Sequence, residues 1–376
     1  MNPDYPTHIG KYEVLGVLGE GGMGIVYRAQ DKRMGRQVAI KTVTGDFNSD
    51  PTMLERFYQE AEKTGRLQHP NIVTIYDLGE QDGMPYIVME MVDGQSLERL
   101  IRDVRTTPLL ERLRIIEQVC SALGYAHRHN VIHRDVKPAN IIVQRDGLAK
   151  LLDFGIAREE QRMGQGLTRT GVVIGTIPYM APERLRGAPL DARSDIFAIG
   201  VVLYQTLTGQ LPFQGEDGEL VNKLFNAKHP PLGTYLQSYP PVLDAIMERA
   251  LAKNPDDRYS TADEMATELF ALIDQMKREH IGEVIVQVKR LTDEHNYVPA
   301  RDSLLQLLKL DNQHAEARSL LADVEQHLKK KQREDQAQML VERAEDLVRE
   351  KDYKKAIDLL DQAAHLHILL DRLPLF

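Results

Sequence analysis

Two acids and an amide stand close together in one stretch of the chain. His133-Arg134-Asp135-Val136-Lys137-Pro138-Ala139-Asn140 is followed by Ile141-Ile142-Val143 and the polar turn Gln144-Arg145-Asp146-Gly147. A mostly apolar run then leads to Asp153-Phe154-Gly155. The two apolar runs suit short strands around a turn. A hairpin returns its ends to one place, so Asp135, Asn140 and Asp153 can face a common point. Their oxygens are hard ligands for divalent cations, and one spare carboxylate can take up a proton.

Other elements must bring a substrate to that point. Lys11 to Leu18 alternates loosely and runs into Gly19-Glu20-Gly21-Gly22-Met23-Gly24, then Ile25-Val26-Tyr27-Arg28-Ala29. Two readings of G-x-G-x-x-G compete. A dinucleotide site needs a helix opening at the third glycine, with an acid about 20 residues later. Here β-branched and aromatic residues follow, then a turn at Asp31 to Gly35, then the strand-like Gln37 to Val43. That is strand–turn–strand, and the dinucleotide reading fails. A glycine hairpin can instead lie over a triphosphate, because missing side chains let backbone N–H groups approach the oxygens.

The chain resembles the eukaryotic-type protein kinases. H-R-D-x-K-x-x-N at His133 to Asn140 and D-F-G at Asp153 to Gly155 match that family's catalytic and metal loops. Val38-Ala39-Ile40-Lys41 matches its V-A-I-K strand, and a lysine placed inward there needs an acidic partner. The resemblance implies Glu60, in Arg56-Phe57-Tyr58-Gln59-Glu60-Ala61, as that partner. It also implies that Leu18, Gly19, Glu20, Gly21, Gly22, Met23 and Gly24 cover the ATP phosphates. Val26, Ala39 and Ile142 would flank the adenine, with Met89 behind it and the Glu90 and Val92 backbones as its hydrogen-bonding partners. His69-Pro70-Asn71-Ile72-Val73 fits the family's helix-to-strand turn.

By the same resemblance Asp135 accepts or orients the attacking hydroxyl's proton, and Lys137 neutralises charge on the transferring phosphoryl group. Asn140 and Asp153 would hold Mg²⁺, or Mn²⁺ in its place. Lys137, and Thr176 in Gly175-Thr176-Ile177-Pro178-Tyr179, match the serine/threonine group rather than the tyrosine kinases. Glu183, in Met180-Ala181-Pro182-Glu183, would pair with Arg258, and Asp195 would brace the catalytic loop. Arg134 is the family's residue for a phosphate on the loop between Asp153 and Glu183. We expect autophosphorylation at Thr168 and Thr170, which would order that loop through charge-assisted hydrogen bonds. Leu167-Thr168-Arg169-Thr170 and the residues after it look most like the bacterial members. One departure is Thr64, four residues after Glu60. The family usually has a bulky apolar side chain there, stacked towards Phe154 and His133.

Composition agrees with this class. The 376 residues carry 27% charged and 42% apolar side chains, ordinary for a globular chain, and a net charge of −9 argues against a general nucleic-acid binder. A single cysteine, Cys120, excludes an intrachain disulfide. Met1 to Gly10 lacks the basic start and apolar run of a signal peptide. No stretch has the roughly 18 apolar residues needed to span a bilayer. We therefore expect a cytoplasmic protein without a membrane span. Leu113, Ile116, Val119, Leu123 and Ala126 give Leu109 to His129 a helical period, and Ile196 to Tyr204 reads as a helix buried in a core. His127, His129 and His133 fit a helix end and loop better than a metal site.

Beyond Lys277 the text becomes helical. Asn296-Tyr297-Val298-Pro299-Ala300 and Asp352-Tyr353-Lys354-Lys355-Ala356 open two similar leucine-rich segments. They resemble the second helix of a tetratricopeptide unit but recur at 56 residues, against about 34 in contiguous arrays, so the segment reads as tetratricopeptide-like or as a helical hairpin. Glu316 to Glu350 reads as one long helix. Leu366 to Phe376 is unusually apolar for a free tail; a docked end or a truncated chain would each explain it.

The expected fold class is α+β, a two-lobed kinase fold followed by an all-α, helical-repeat-like module. Its parts would be a tail (1–10), an N-lobe (11–92), a C-lobe (93–277) and the helical module (278–376). The expected activity is ATP-dependent phosphorylation of protein serine or threonine. The helical module would dock, self-associate or bind a protein partner. The alternative is a nucleotide-binding pseudokinase acting as a scaffold through those helices.

Overall fold

Period-two alternation in the first ninety residues folds into strands with two distinct faces. The computed structural model describes residues 5–21, 24–42, 51–102, 107–154 and 176–371. Strands β1 (His8–Ile9), β2 (Tyr12–Gly21), β3 (Gly24–Asp31), β4 (Arg36–Thr42), β5 (Ile75–Gln81) and β6 (Met84–Glu90) form an antiparallel sheet. Their order is β1-β2-β3-β4-β6-β5. On one face Tyr12, Tyr27, Val38, Ile40 and Val88 make a core. On the other, Ala39, Ile87 and Met89 pack with Val73 and with Ala61 of helix α1 (Pro51–Gly65). Alternation puts Lys41 on the Ala39 side of β4, the side shared with α1.

A second sheet of three short strands follows, β7 (Gly94–Ser96), β8 (Ile141–Gln144) and β9 (Ala149–Leu151). Gly94 is the residue that lets β7 approach β8. A Cβ there would stand 2.4 Å from the Val143 carbonyl oxygen, a distance no side chain tolerates. Against this sheet lie α2 (Leu97–Arg102) and α3 (Leu109–Arg128); α5 (Arg193–Thr208) packs on α3 and α7 (Val242–Ala250) on α5, with α4 (Pro182–Leu185) against α6 (Asp217–Asn226). The helical period of α3 buries Leu113, Ile116, Val119, Leu123 and Ala126, and α5 is buried on nearly every side. Cys120, on α3, is fully enclosed. Burial pushes its thiol far above the ordinary value.

Packing divides the chain into two units, Met1–Ile273 and Asp274–Phe376. The division falls inside a helix. The sequence places the boundary of the helical module after Lys277, but α8 runs unbroken across it, from Ala262 to Asp293. Lys277-Arg278-Glu279 are good helix formers, and no glycine or proline intervenes before Gly282. The second unit continues with α9 (Tyr297–Leu310), α10 (Ala315–Arg349) and α11 (Tyr353–Asp371). Ile285 and Val288 of α8, Ala300, Leu304 and Leu307 of α9, and Ala317 and Val324 of α10 form its main core. Farther along, α10 and α11 meet at buried alanines, Ala337 and Ala344 on one helix and Ala356 and Ala363 on the other.

Candidate active site

The β8–β9 hairpin aligns its two ends. Ile141 pairs with Leu151 and Val143 with Ala149, and the Leu152 N–H donates to the Asn140 carbonyl at 2.8 Å. Asn140 therefore lies beside the chain that enters Asp153. Its side-chain amide donates to the Asp135 carbonyl at 2.8 Å and to Asp135 Oδ2 at 3.1 Å. Those two bonds occupy the NH₂ group and leave the amide oxygen for other work. Lys137 Nζ stands 3.1 Å from Asp135 Oδ2 and donates to Thr176 Oγ at 3.5 Å. Burial lowers the Lys137 ammonium below the ordinary lysine value, with the Asp153 charge opposing it.

The loop carrying Asp135 is clamped from beneath by Asp195, which is 1% exposed. Asp195 Oδ2 accepts from the His133 N–H at 2.7 Å and from His127 Nε2 at 2.9 Å; Oδ1 accepts from the Arg134 N–H at 2.8 Å. Burial works against ionising this carboxyl. The hydrogen bond from His127 and the other donors outweigh it and hold the group below the carboxylate range. His133 Nδ1 accepts from the Asp135 N–H at 3.2 Å, while Nε2 donates to the Leu152 carbonyl at 2.7 Å. One acceptor and one donor describe a neutral ring, in keeping with burial that lowers its pKa. Arg184 adds a hydrogen bond to the Arg134 carbonyl. The backbone at Arg134 is left-handed (φ 65°), as it is at Asp153 (φ 50°). These are costly conformations for non-glycine residues, and the surrounding bonds hold them.

Farther from the cleft, Arg258 makes two 2.8 Å bonds to the Glu183 carboxylate. Ser194 Oγ donates to the same carboxylate at 2.7 Å. Burial would raise Glu183, but Arg258 and Ser194 keep it below its ordinary value. The Arg258–Glu183 pair is thus a filled, dry junction between α4 and the chain before α8.

Lys41 faces the cleft, but its partner differs from expectation. Its ammonium is 2.9 Å from Asp153 Oδ2, and Glu60 is 3.1 Å from Arg134 Nη1. Among the described residues Lys41 and Glu60 form no ion pair with each other. The reason is local: Arg134 and Asp153 flank the Phe154–His133 stack, whose ring centroids are 4.6 Å apart. Each therefore reaches one member of the expected pair. Burial alone would raise Asp153, and the Lys41 charge and hydrogen bond hold it below its usual value.

The remaining expected residues divide by place. Val26 pairs with Lys41 across β3–β4, and Ala39 with Met89 across β4–β6. Val26, Ala39, Met89 and Val92 belong to one apolar cluster, and Leu152 joins it. Ile142 pairs with Ser96 and Lys150 in the second sheet. The Glu90 N–H is taken by the Thr74 carbonyl at 2.9 Å. Leu18, Gly19 and Glu20 are exposed on β2, and Gly21 pairs with Gly24. Gly22, Met23, Thr168 and Thr170 lie outside the described residues. Thr64 is buried beside Phe154, where both line a cavity of about 70 Å³.

Sequence reading missed three contributors. Lys150 pairs with the Glu90 carboxylate at 2.8 Å, tying the second sheet to the end of β6; an alternating β9 lysine gave no sign of it. Leu152 was read only as part of a strand. His127 was set aside as bland, although its place in the last turn of α3 lets it reach Asp195.

A protein kinase domain family matches residues 12–270. The serine/threonine-protein kinase PknB of Mycolicibacterium smegmatis is 42% identical over 294 residues, covering 77% of this chain and 46% of that protein. The probable serine/threonine-protein kinase PknB of Corynebacterium glutamicum is 42% identical over 268 residues, covering 69% and 42%. The chain thus spans less than half the length of these curated relatives. A solved PknI kinase domain from Mycobacterium tuberculosis superposes with a TM-score of 0.55 at 30% identity, covering 70% of this chain and 97% of that one. On the matched span and the geometry it encloses, this chain belongs to the protein kinase family.

Proposed function

We propose that this chain is a serine/threonine protein kinase that transfers the γ-phosphoryl group of ATP to protein hydroxyls. The observation that carries the reading is that the β8–β9 hairpin sets two groups side by side, Asp135 with Lys137 and Asn140, and Asp153 with Lys41. Asp135 accepts the hydroxyl proton. Lys137, bridging Asp135 and Thr176, aligns that hydroxyl and offsets phosphoryl charge. The donor set suits a hard cation. The Asn140 amide is oriented by Asp135, and the Asp153 carboxylate stays ionised. These two would hold Mg²⁺, or Mn²⁺, which takes few protein ligands and several from phosphates and water. When bound, it would neutralise phosphate charge. Val26, Ala39, Met89, Val92 and Ile142 serve as the adenine-facing residues, and residues 18–24 as the phosphate cover.

The Lys41–Asp153 and Glu60–Arg134 pairs fit a resting arrangement. A phosphate on Thr168 or Thr170 competes for Arg134, frees Glu60 to turn towards Lys41, and leaves Asp153 to the metal. The protein acts in the cytoplasm, and its second unit binds protein.

Incubation with labelled ATP and Mg²⁺, beside Asp135→Asn and followed by phosphosite mapping, tests the reading. Label in the wild type alone, on Thr168 or Thr170, is expected. Equal label in both proteins overturns the assignment of Asp135. Full activity in a Thr168→Ala/Thr170→Ala protein overturns the loop switch.

A further inference from the structure

The second unit contains the same helical turn twice, and among the described residues only one copy is covered. His295 and Lys351, 56 residues apart in sequence, both take left-handed backbone, with φ of 59° and 62°. The bonds around them repeat at the same interval. The Asn296 N–H donates to the Leu291 carbonyl at 2.7 Å, and the Asp352 N–H to the Leu347 carbonyl at 2.9 Å. The Ala300 N–H donates to Asn296 and the Ala356 N–H to Asp352, at 3.3 and 3.2 Å. Hairpin α8–α9 and hairpin α10–α11 are therefore equivalent units, with Tyr297 matching Tyr353, Leu304 matching Leu360 and Leu308 matching Ala364.

In the first hairpin that stripe is shielded. The first half of α10 lies on it through Ala317, Leu320, Leu321 and Val324, and His327 stacks on Tyr297 at 4.9 Å with the rings 3° from parallel. Leu304 is 0% exposed. In the second hairpin the matching stripe is open. Tyr353 is 59% exposed, Leu360 is 44% exposed and Ala364 is exposed with them, and Ile357, 59% exposed, extends the stripe where the first hairpin has Arg301. Residues at i, i+4, i+7 and i+11 form one helix face about three turns long. Its counterpart in the first hairpin takes a helix, so the open copy has the shape and chemistry of a helix-binding face.

We infer that a second copy of this chain covers it, with α11 packed antiparallel on its twin. The charges beside the stripe choose this occupant. Lys354 and Asp361 lie on the same flank, seven residues apart, and among the described residues neither is in an ion pair. In an antiparallel pair of helices equivalent flanks face one another, which sets Lys354 of each copy against Asp361 of the other. In a parallel pair the same flank would face the alanine side, Ala356 and Ala363, which is already buried. A two-fold axis passing near Ile357 and Asp358 aligns both the apolar stripe and the two ion pairs. This surface is independent of the kinase reading.

Sedimentation velocity of the full chain over a dilution series tests it. A dimer is expected. Combined Ile357→Asp/Leu360→Asp, at exposed positions that leave the fold intact by circular dichroism, should raise the dimer dissociation constant at least ~100-fold. Lys354→Glu alone should weaken the dimer by several-fold, more at low salt. Lys354→Glu with Asp361→Lys should restore it, because each new glutamate meets a new lysine. A wild-type monomer at every concentration overturns the inference. So does a dimer indifferent to the stripe variants, or a charge swap that fails to rescue.

Discussion

Arg258 and Glu183 are joined by two 2.8 Å bonds with the arginine side chain sealed from solvent, whereas Lys41 and Asp153, 2.9 Å apart, remain partly exposed. The first pair belongs to a frame that includes Asp195, His127 and Ser194. There each charge has dedicated partners, and nothing else can reach it. The second belongs to a cleft where Lys41, Arg134 and Lys137 meet Glu60, Asp135 and Asp153. In a dry site, separating charges is expensive, so the frame keeps one arrangement. In a wetter one, partner exchange costs little, so the cleft can be rearranged by a phosphate or a cation. The same family motif thus supplies a fixed support and a changeable working surface.

The contrast breaks first at Arg258. Arg258→Ala should cost ~3–5 kcal/mol of stability by stranding Glu183, read from denaturant unfolding. Lys41→Met should abolish most phosphoryl transfer yet cost about 1 kcal/mol or less. Comparable unfolding curves for the two variants would remove the distinction.

Asp135→Asn should lower turnover by ~10²–10⁴-fold with an unchanged melting temperature. A large loss of thermal stability would instead place Asp135 in the frame.

Acid sharpens the comparison. Glu183 and Asp195 are held below their ordinary values of 4.5 and 3.8. A depressed carboxyl pKa adds stability that is complete above the unfolded value and is lost as pH falls through the folded one. Melting temperature should be level near neutrality and drop below about pH 4. In Arg258→Ala the drop should be shallower, since Glu183 has lost its cationic partner.

The smallest effect is expected at Thr64. Thr64→Leu fills part of the 70 Å³ cavity beside Phe154 and should add ~0.5–1 kcal/mol. By steadying α1 it should also raise basal autophosphorylation. Unchanged stability and activity together would show that the cavity has no bearing on the switch.

The hairpin carrying Asn140 and Asp153 was legible because strand period and turn residues are local. So were α3 and α5, whose apolar spacing is long and regular. The partner of Lys41 was not. Both Glu60 and Asp153 are within its reach, and the choice depends on how α1 is set against the loop, which no residue pattern encodes. The unbroken α8 was missed because a change of packing partner need not interrupt a helix. The repeated turn of the second unit was only half visible. Its tyrosine and alanine recur in the sequence, but the left-handed positions are filled by histidine and lysine rather than by the glycine that usually marks them.

Cys120 has a practical consequence. It is the chain's one thiol, enclosed on α3 and held protonated by its surroundings. The folded protein therefore offers maleimides and oxidants almost no thiolate. A cysteine introduced on α1 or α11 would carry a fluorophore or spin label as the single reporter, without removal of the native residue. Conversely, labelling of Cys120 itself would time the opening of the α3–α5 core, giving a clock for unfolding that is silent while the protein is intact.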